Sequence, residues 1–177
     1  MIIQVDPARC TDCRLCEIYC SLQQEGYVNP SLARVQIRRD ESRRLLAPIV
    51  CPPCGEKKCL AACPEPGALV ISPQTGAVVV VEPRCTGCCK CIAACEIGAI
   101  RFLRQEGRGK NGKAVALKCD QCGGDPACTR VCEPKALEYV NEATGQPVFE
   151  RLGALLAEIE KDWLRRGGQP RRRTPSL

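Results

Sequence analysis

The chain has 177 residues, 17 of them cysteine and none histidine, which removes Rieske-type ligation, paired-histidine zinc fingers and any histidine acid–base chemistry at once. Aromatic residues make up only 3%, too few for a conventional large-residue core. The formal charge of +6 counts every cysteine as neutral, so it stops indicating nucleic acid once thiolate-bound metal is considered.

In chain order, a short apolar strand precedes the quartet Cys10, Cys13, Cys16 and Cys20. A hairpin follows, with strands expected at 34–38 and 45–50 and a turn over Arg39, Asp40, Glu41 and Ser42. The second quartet is Cys51, Cys54, Cys59 and Cys63, and its hairpin runs over 68–72 and 77–82 around Pro73, Gln74, Thr75 and Gly76. The third is Cys85, Cys88, Cys91 and Cys95, with strands at 100–104 and 114–118 around a Gly/Lys-rich loop. The fourth is Cys119, Cys122, Cys128 and Cys132, followed by an apolar strand ending at Tyr139. Each unit repeats one plan: a cysteine loop, a helix of one or two turns, a small residue and a strand. Gly67-Ala68-Leu69, Gly98-Ala99-Ile100 and Lys135-Ala136-Leu137 occupy equivalent places.

The first and third quartets read C-x2-C-x2-C-x3-C; the others differ only in the second gap. This is the ligand spacing of cubane [4Fe–4S] clusters, where three close thiolates wrap one cluster and the fourth cysteine reaches another. Two-residue gaps let a loop curl around the cube with its N–H groups turned inward, stabilising the negative charge. Zinc sites place C-x2-C pairs a dozen or more residues apart, unlike these. A disulfide scaffold conflicts with the odd cysteine count and with the absence of a secretory signal before Cys10. The plant-type [2Fe–2S] spacing is absent. Four clusters with about −2 charge each would bring the loaded chain near −2 overall. Cys89 falls outside the pattern and is expected to pack beside a cluster without ligating it.

The middle quartets are joined by a single hairpin, which suggests an inner two-cluster unit over 51–100 inserted into an outer one made of 1–50 and 101–140. The ligand sets would then be Cys10, Cys13, Cys16 with Cys132; Cys119, Cys122, Cys128 with Cys20; Cys51, Cys54, Cys59 with Cys95; and Cys85, Cys88, Cys91 with Cys63. Spacing also permits consecutive pairing, first quartet with second and third with fourth. Over 141–177, Leu152, Leu155, Leu156, Ile159 and Trp163 recur at helical spacing ahead of a basic tail at Arg171, Arg172 and Arg173. That helix either packs back on its own module or docks a partner. The tail lacks the aromatic interleaving of a nucleic-acid binder.

On these motifs the chain resembles the four-cluster, polyferredoxin-like electron-transfer subunits of molybdenum and tungsten oxidoreductases and hydrogenases. The residues that carry the resemblance are Cys119-Asp120-Gln121-Cys122 and Cys63-Pro64-Glu65-Pro66-Gly67-Ala68-Leu69. The opening Cys10-Thr11-Asp12-Cys13-Arg14-Leu15-Cys16-Glu17, with Cys20-Ser21-Leu22 and Asn29-Pro30-Ser31, is most similar to the small subunits of tungsten aldehyde:ferredoxin-type oxidoreductases and aryl-CoA reductases. The resemblance implies an α+β fold of two nested bacterial-ferredoxin-like dicluster modules, with the outer and inner quartets paired as above. It implies a non-catalytic cytoplasmic subunit holding four [4Fe–4S] clusters. Such a subunit passes single electrons between a tungsten- or molybdenum-pterin catalytic subunit and a further redox subunit or ferredoxin. A free polyferredoxin, or a hydrogenase or formate dehydrogenase subunit, is the alternative, and stacking of copies into longer wires stays open. The family's proline after the last cysteine is present only at Pro64; Ser21, Glu96 and Glu133 replace it elsewhere, and the two glutamates are expected to lower nearby cluster potentials. No nucleotide fingerprint, phosphate loop, nucleophile–base pair or membrane-spanning run is present.

Overall fold

The computed structural model describes residues 1–40, 45–103 and 114–141. The expected Gly/Lys-rich loop, the expected C-terminal helix and the basic tail all lie outside the described residues. Within them, short helices alternate with short strands: β1 (Ile2–Val5), α1 (Leu15–Glu25), β2 (Gln36–Asp40), β3 (Leu45–Ile49), α2 (Lys58–Ala61), β4 (Leu69–Ile71), β5 (Val78–Val80), α3 (Lys90–Ala93), β6 (Arg101–Leu103), β7 (Val115–Leu117), α4 (Ala127–Arg130) and β8 (Leu137–Val140). No described helix is long and apolar enough to cross a membrane.

Three antiparallel ribbons join sequence neighbours, β2 with β3, β4 with β5 and β6 with β7. The β4–β5 turn closes as its composition predicts: Ser72 donates to the Ala77 carbonyl at 2.8 Å and Gly76 to the Ser72 carbonyl at 2.8 Å. The fourth ribbon is non-local. β1 pairs with β8 from Ile2 opposite Val140 to Val5 opposite Leu137, and Asp6 extends the contact by donating to the Ala136 carbonyl at 2.8 Å.

Two expectations need correction. The strand expected from Arg34 begins at Gln36, because the Arg34 N–H is diverted to the Cys20 sulfur at 3.1 Å instead of a ladder. It also runs through Arg39 and Asp40, opposite Leu46 and Leu45, so those two residues belong to the ladder and not to the turn. Helix α1 has 11 residues, longer than the expected one or two turns. It continues past Cys20 because Ser21 keeps the N–H that a proline would lack.

The equivalent positions Gly67, Gly98 and Lys135 all take positive φ, at +71°, +68° and +56°. Each swings the chain from a cysteine loop into its strand and buries the alanine that follows, Ala68, Ala99 or Ala136. Helix α1 packs against α4, and α2 against α3. Apolar side chains gather in separate clusters, one around Val35 and Leu137, one around Leu69 and Ile100, with Ala47, Ile49 and Ala99 forming a third. Cysteines belong to the first two cores: Cys16, Cys20, Cys119 and Cys128 to one, Cys59 and Cys91 to the other.

Candidate metal centres

The cysteine loops share a backbone device. The residue two before the third cysteine of a quartet caps the helix in the left-handed region: Arg14 (φ +60°) before α1, Lys57 (φ +44°) before α2 and Cys89 (φ +60°) before α3. Side-chained residues occupy this region at a cost, so its recurrence marks a loop shaped for something other than chain economy. The cap sets the first helical turn with its free N–H groups beside the third cysteine. The fourth quartet differs, with Pro126 capping α4 and the left-handed residues moved to Gln121 and Cys122.

A cavity of about 380 Å³, counting its mouth, is lined by Cys63, Cys85, Cys88 and Cys91. A second, of about 310 Å³, is lined by Cys10, Cys13, Cys16 and Cys132. In each, one cysteine from a remote quartet joins the first three cysteines of another quartet. The other cysteines are grouped by their mutual electrostatics. Burial pushes the Cys119 thiol well above its ordinary range, and the nearby Cys128, Cys51 and Cys20 add to the effect. Burial raises Cys128, with Cys20 and Cys122 beside it. Cys51 is raised by burial and has Cys95 and Cys59 as neighbours; Cys59 in turn neighbours Cys54 and Cys95. Burial and then Glu17 push Cys16 up to about 12, while burial followed by Cys85 and Cys88 does the same for Cys91. Among the described residues no group of three Cys, Asp or Glu side chains is gathered as a single ion requires. A zinc ion bound at about 2.3 Å would hold its sulfurs roughly 3.8 Å apart, whereas these thiols stand around cavities.

Several observations fit an anionic, polynuclear occupant with cysteine at its corners. Fourth-position sulfurs accept backbone N–H groups: Cys20 from Arg34 at 3.1 Å, Cys95 from Ala99 at 3.4 Å and Cys132 from Leu137 at 3.4 Å. Cys119 accepts from Gln121 at 3.3 Å, and Cys122 from the Gln24 amide at 3.5 Å. Donors aimed at sulfur favour the thiolate. The Gln121 side chain is 0% exposed, and neither its Oε1 nor its Nε2 has a protein partner. A buried orphaned amide beside Cys119 and Cys122 calls for a further group to satisfy it.

Cys89 lines the same cavity as Cys63 and Cys85, but its thiol is turned to the Gly87 carbonyl at 3.4 Å. Glu96 is mostly exposed and ion-paired at 2.6 Å with Lys58, which also pairs with Glu56 at 3.1 Å. Three residues take roles in the structure that the sequence reading did not assign. Ser21 is fully buried, donating to the Ile18 carbonyl at 2.8 Å and accepting from the Asn29 N–H at 3.0 Å. Asp120 accepts from the Cys122 N–H at 2.8 Å and from Gln24 at 2.9 Å. Lys118 is buried beside Cys119, and its signal was a lone lysine closing the apolar run Ala114-Val115-Ala116-Leu117.

No family model matches the sequence. The chain is 34% identical over 149 residues to the "Aliphatic sulfonate oxidoreductase, polyferredoxin-like subunit" of Pyrococcus furiosus, covering 83% of this chain and 81% of that protein. It is 32% identical over 155 residues to "Electron transport protein HydN" of Escherichia coli K12, covering 78% and 87% respectively. A solved chain of the active site complex BamBC of benzoyl coenzyme A reductase aligns over 93% of this chain and 94% of its own, with 22% identity and a TM-score of 0.44, too loose a likeness to carry an assignment. With its relatives and its cysteine loops together, the chain belongs to the polyferredoxin-like iron–sulfur electron-transport subunits of oxidoreductases.

Proposed function

We propose that the chain is a non-catalytic cytoplasmic subunit that holds four [4Fe–4S] clusters and relays single electrons between a tungsten- or molybdenum-pterin oxidoreductase and a further redox subunit or ferredoxin. The observation that carries this reading is the meeting of Cys132 with Cys10, Cys13 and Cys16, and of Cys63 with Cys85, Cys88 and Cys91. What supports the remaining ligand sets is the proximity of Cys20 to Cys119, Cys122 and Cys128, and of Cys95 to Cys51 and Cys59. The nested grouping of modules draws support from the β1–β8 pairing and from α1 packing on α4 while α2 packs on α3.

When bound, such clusters each accept and release one electron at potentials set by charge, hydrogen bonding and exposure. The protein's part is to hold and tune. Sixteen thiolates anchor the corners, the N–H donors at Cys20, Cys95, Cys119 and Cys132 offset their negative charge, and the apolar shell of Val35, Leu69, Ile100 and Leu137 excludes water. Cysteine at every corner leaves no position for substrate, in keeping with a conducting role.

The aldehyde-oxidising partner is a proposal from the opening motif; the Pyrococcus relative's name instead points to an aliphatic sulfonate as the partner's substrate. Anaerobic purification of the native complex with metal analysis tests the cluster content and the kind of catalytic partner. About sixteen irons per chain with tungsten or molybdenum supports the proposal. Iron without a pterin metal would favour a free polyferredoxin, nickel a hydrogenase, and zinc in place of iron would overturn it.

A further inference from the structure

Helices α2, α3 and α4 each start just before the third cysteine of their quartet and end short of the fourth. Helix α1 starts at the equivalent place, Leu15, but continues through Cys20 to Glu25. The added turn carries Gln24, one helical turn after Cys20 and on the same helix face. That face meets the fourth cysteine loop. Gln24 Nε2 donates to Asp120 Oδ1 at 2.9 Å and to the Cys122 sulfur at 3.5 Å. A carboxylate accepts only, so Asp120 fixes which end of the amide faces the loop.

The loop held in this way is strained. Gln121 and Cys122 both lie in the left-handed region, at φ +60° and +49°, and neither is glycine. Such residues persist where their surroundings over-determine them. Asp120 Oδ1 accepts from the Cys122 N–H at 2.8 Å as well as from Gln24. One carboxylate oxygen thus ties the backbone of Cys122 to the amide that reaches its sulfur. Two backbone donors serve the same cysteine set, the Arg34 N–H on Cys20 at 3.1 Å and the Gln121 N–H on Cys119 at 3.3 Å. Both stay in place whatever side chain stands at position 24.

We propose that Gln24 is a positioning residue for the cluster held by Cys20, Cys119, Cys122 and Cys128: its amide fixes the Cys122 ligand and raises that cluster's reduction potential. This rests on the four-cluster reading above. One-electron reduction adds a negative charge, and a donor aimed at a ligand sulfur favours the more negative state. The extension of α1 past Cys20 then has a task. A single helix face supplies the set with one ligand, Cys20, and with a donor to another, Cys122.

The test is an EPR-monitored redox titration of the full chain, purified anaerobically, with iron determined in parallel. Gln24→Met keeps a helix-forming side chain and removes the amide. It should lower one midpoint at unchanged iron content, shifting that cluster's reduced-to-oxidised ratio about tenfold, or about 59 mV for one electron. Gln24→Glu, which puts an acceptor beside Asp120 in place of the donor, should lower the same midpoint at least as far. A second measurement needs no substitution. With glutamine carrying heavy nitrogen in its side chain, a reduced cluster of the wild-type chain should show a hyperfine coupling to that nitrogen, which both variants should lose. Unmoved midpoints in Gln24→Met at full iron content would overturn the proposal even if stability fell, because they mark a purely structural brace. A wild-type chain without the nitrogen coupling would overturn it whatever the variants do, and so would a coupling that survives in both. Should Gln24→Met lose iron, Gln24→Glu and the coupling decide. Iron well below about sixteen in the wild-type chain would instead overturn the four-cluster reading itself.

Discussion

Cys132 lines the same cavity as Cys10, although almost the whole described chain separates them. The β1–β8 ladder brings the two ends together, and the Leu137 N–H, at the start of β8, points back to the Cys132 sulfur at 3.4 Å. Cys132→Ser is therefore expected to extinguish or alter the same EPR signal as Cys10→Ser. If consecutive quartets were paired instead, Cys132→Ser would match Cys85→Ser, so comparing the three spectra separates the arrangements.

Gly87 sits between Cys85 and Cys88 at φ +68°, and a Cβ there would lie 2.5 Å from the Ala114 carbonyl oxygen. The obstacle is backbone, which cannot step aside. Gly87→Ala should cost about 2–4 kcal/mol, combining left-handed strain with the clash. Gly26→Ala is the control: its φ is +78° but nothing lies within 4 Å, so only about 1 kcal/mol should be lost. Anaerobic urea titrations of both variants check the difference, and equal losses would count against the clash.

Ser21 joins α1 to the loop at Asn29 through two hydrogen bonds at a fully buried position. Ser21→Ala leaves the Asn29 N–H without that acceptor and should destabilise the fold by about 1–3 kcal/mol. Iron content should not change, because the hydroxyl touches no cysteine sulfur in these contacts. A chain that unfolds at the wild-type urea midpoint would show that another acceptor takes over.

Iron removal should abolish cooperative folding. Cys16, Cys20, Cys119 and Cys128 form part of one core and Cys59 and Cys91 part of another, alongside few large side chains. Metal binding then supplies folding free energy that burial alone does not. After chelation, far-UV circular dichroism should lose its sharp thermal transition, and reconstitution with iron and sulfide should restore it. A chelated chain that still melts cooperatively would show a self-sufficient apolar core.

The quartets, the three local ribbons and the repeated small residue before each strand were legible because each depends on short-range geometry. A cysteine loop needs nearby thiols, a hairpin needs turn residues such as Gly76, and the turn into a strand needs a residue at positive φ such as Gly98. The strand starting at Gln36 was misjudged because the Arg34 N–H is taken by Cys20, a competition that periodicity does not register. The burial of Ser21 and Lys118 was missed for a related reason. A serine within a helix or a lysine after a strand reads as surface until packing closes over it.

By itself the sequence determined the number and spacing of the cysteine loops, the order of helix and strand, and the exclusion of histidine chemistry. All of these follow from residues within a few positions of one another. Only the tertiary structure decided that Ile2 pairs with Val140, that Cys132 lines one cavity with Cys10 and Cys63 another with Cys91, and that Lys118 is buried with its ammonium on the Cys119 carbonyl. Those relationships depend on how separate ribbons and helices pack, which short-range spacing does not encode, and they bear most directly on the potentials of the proposed clusters.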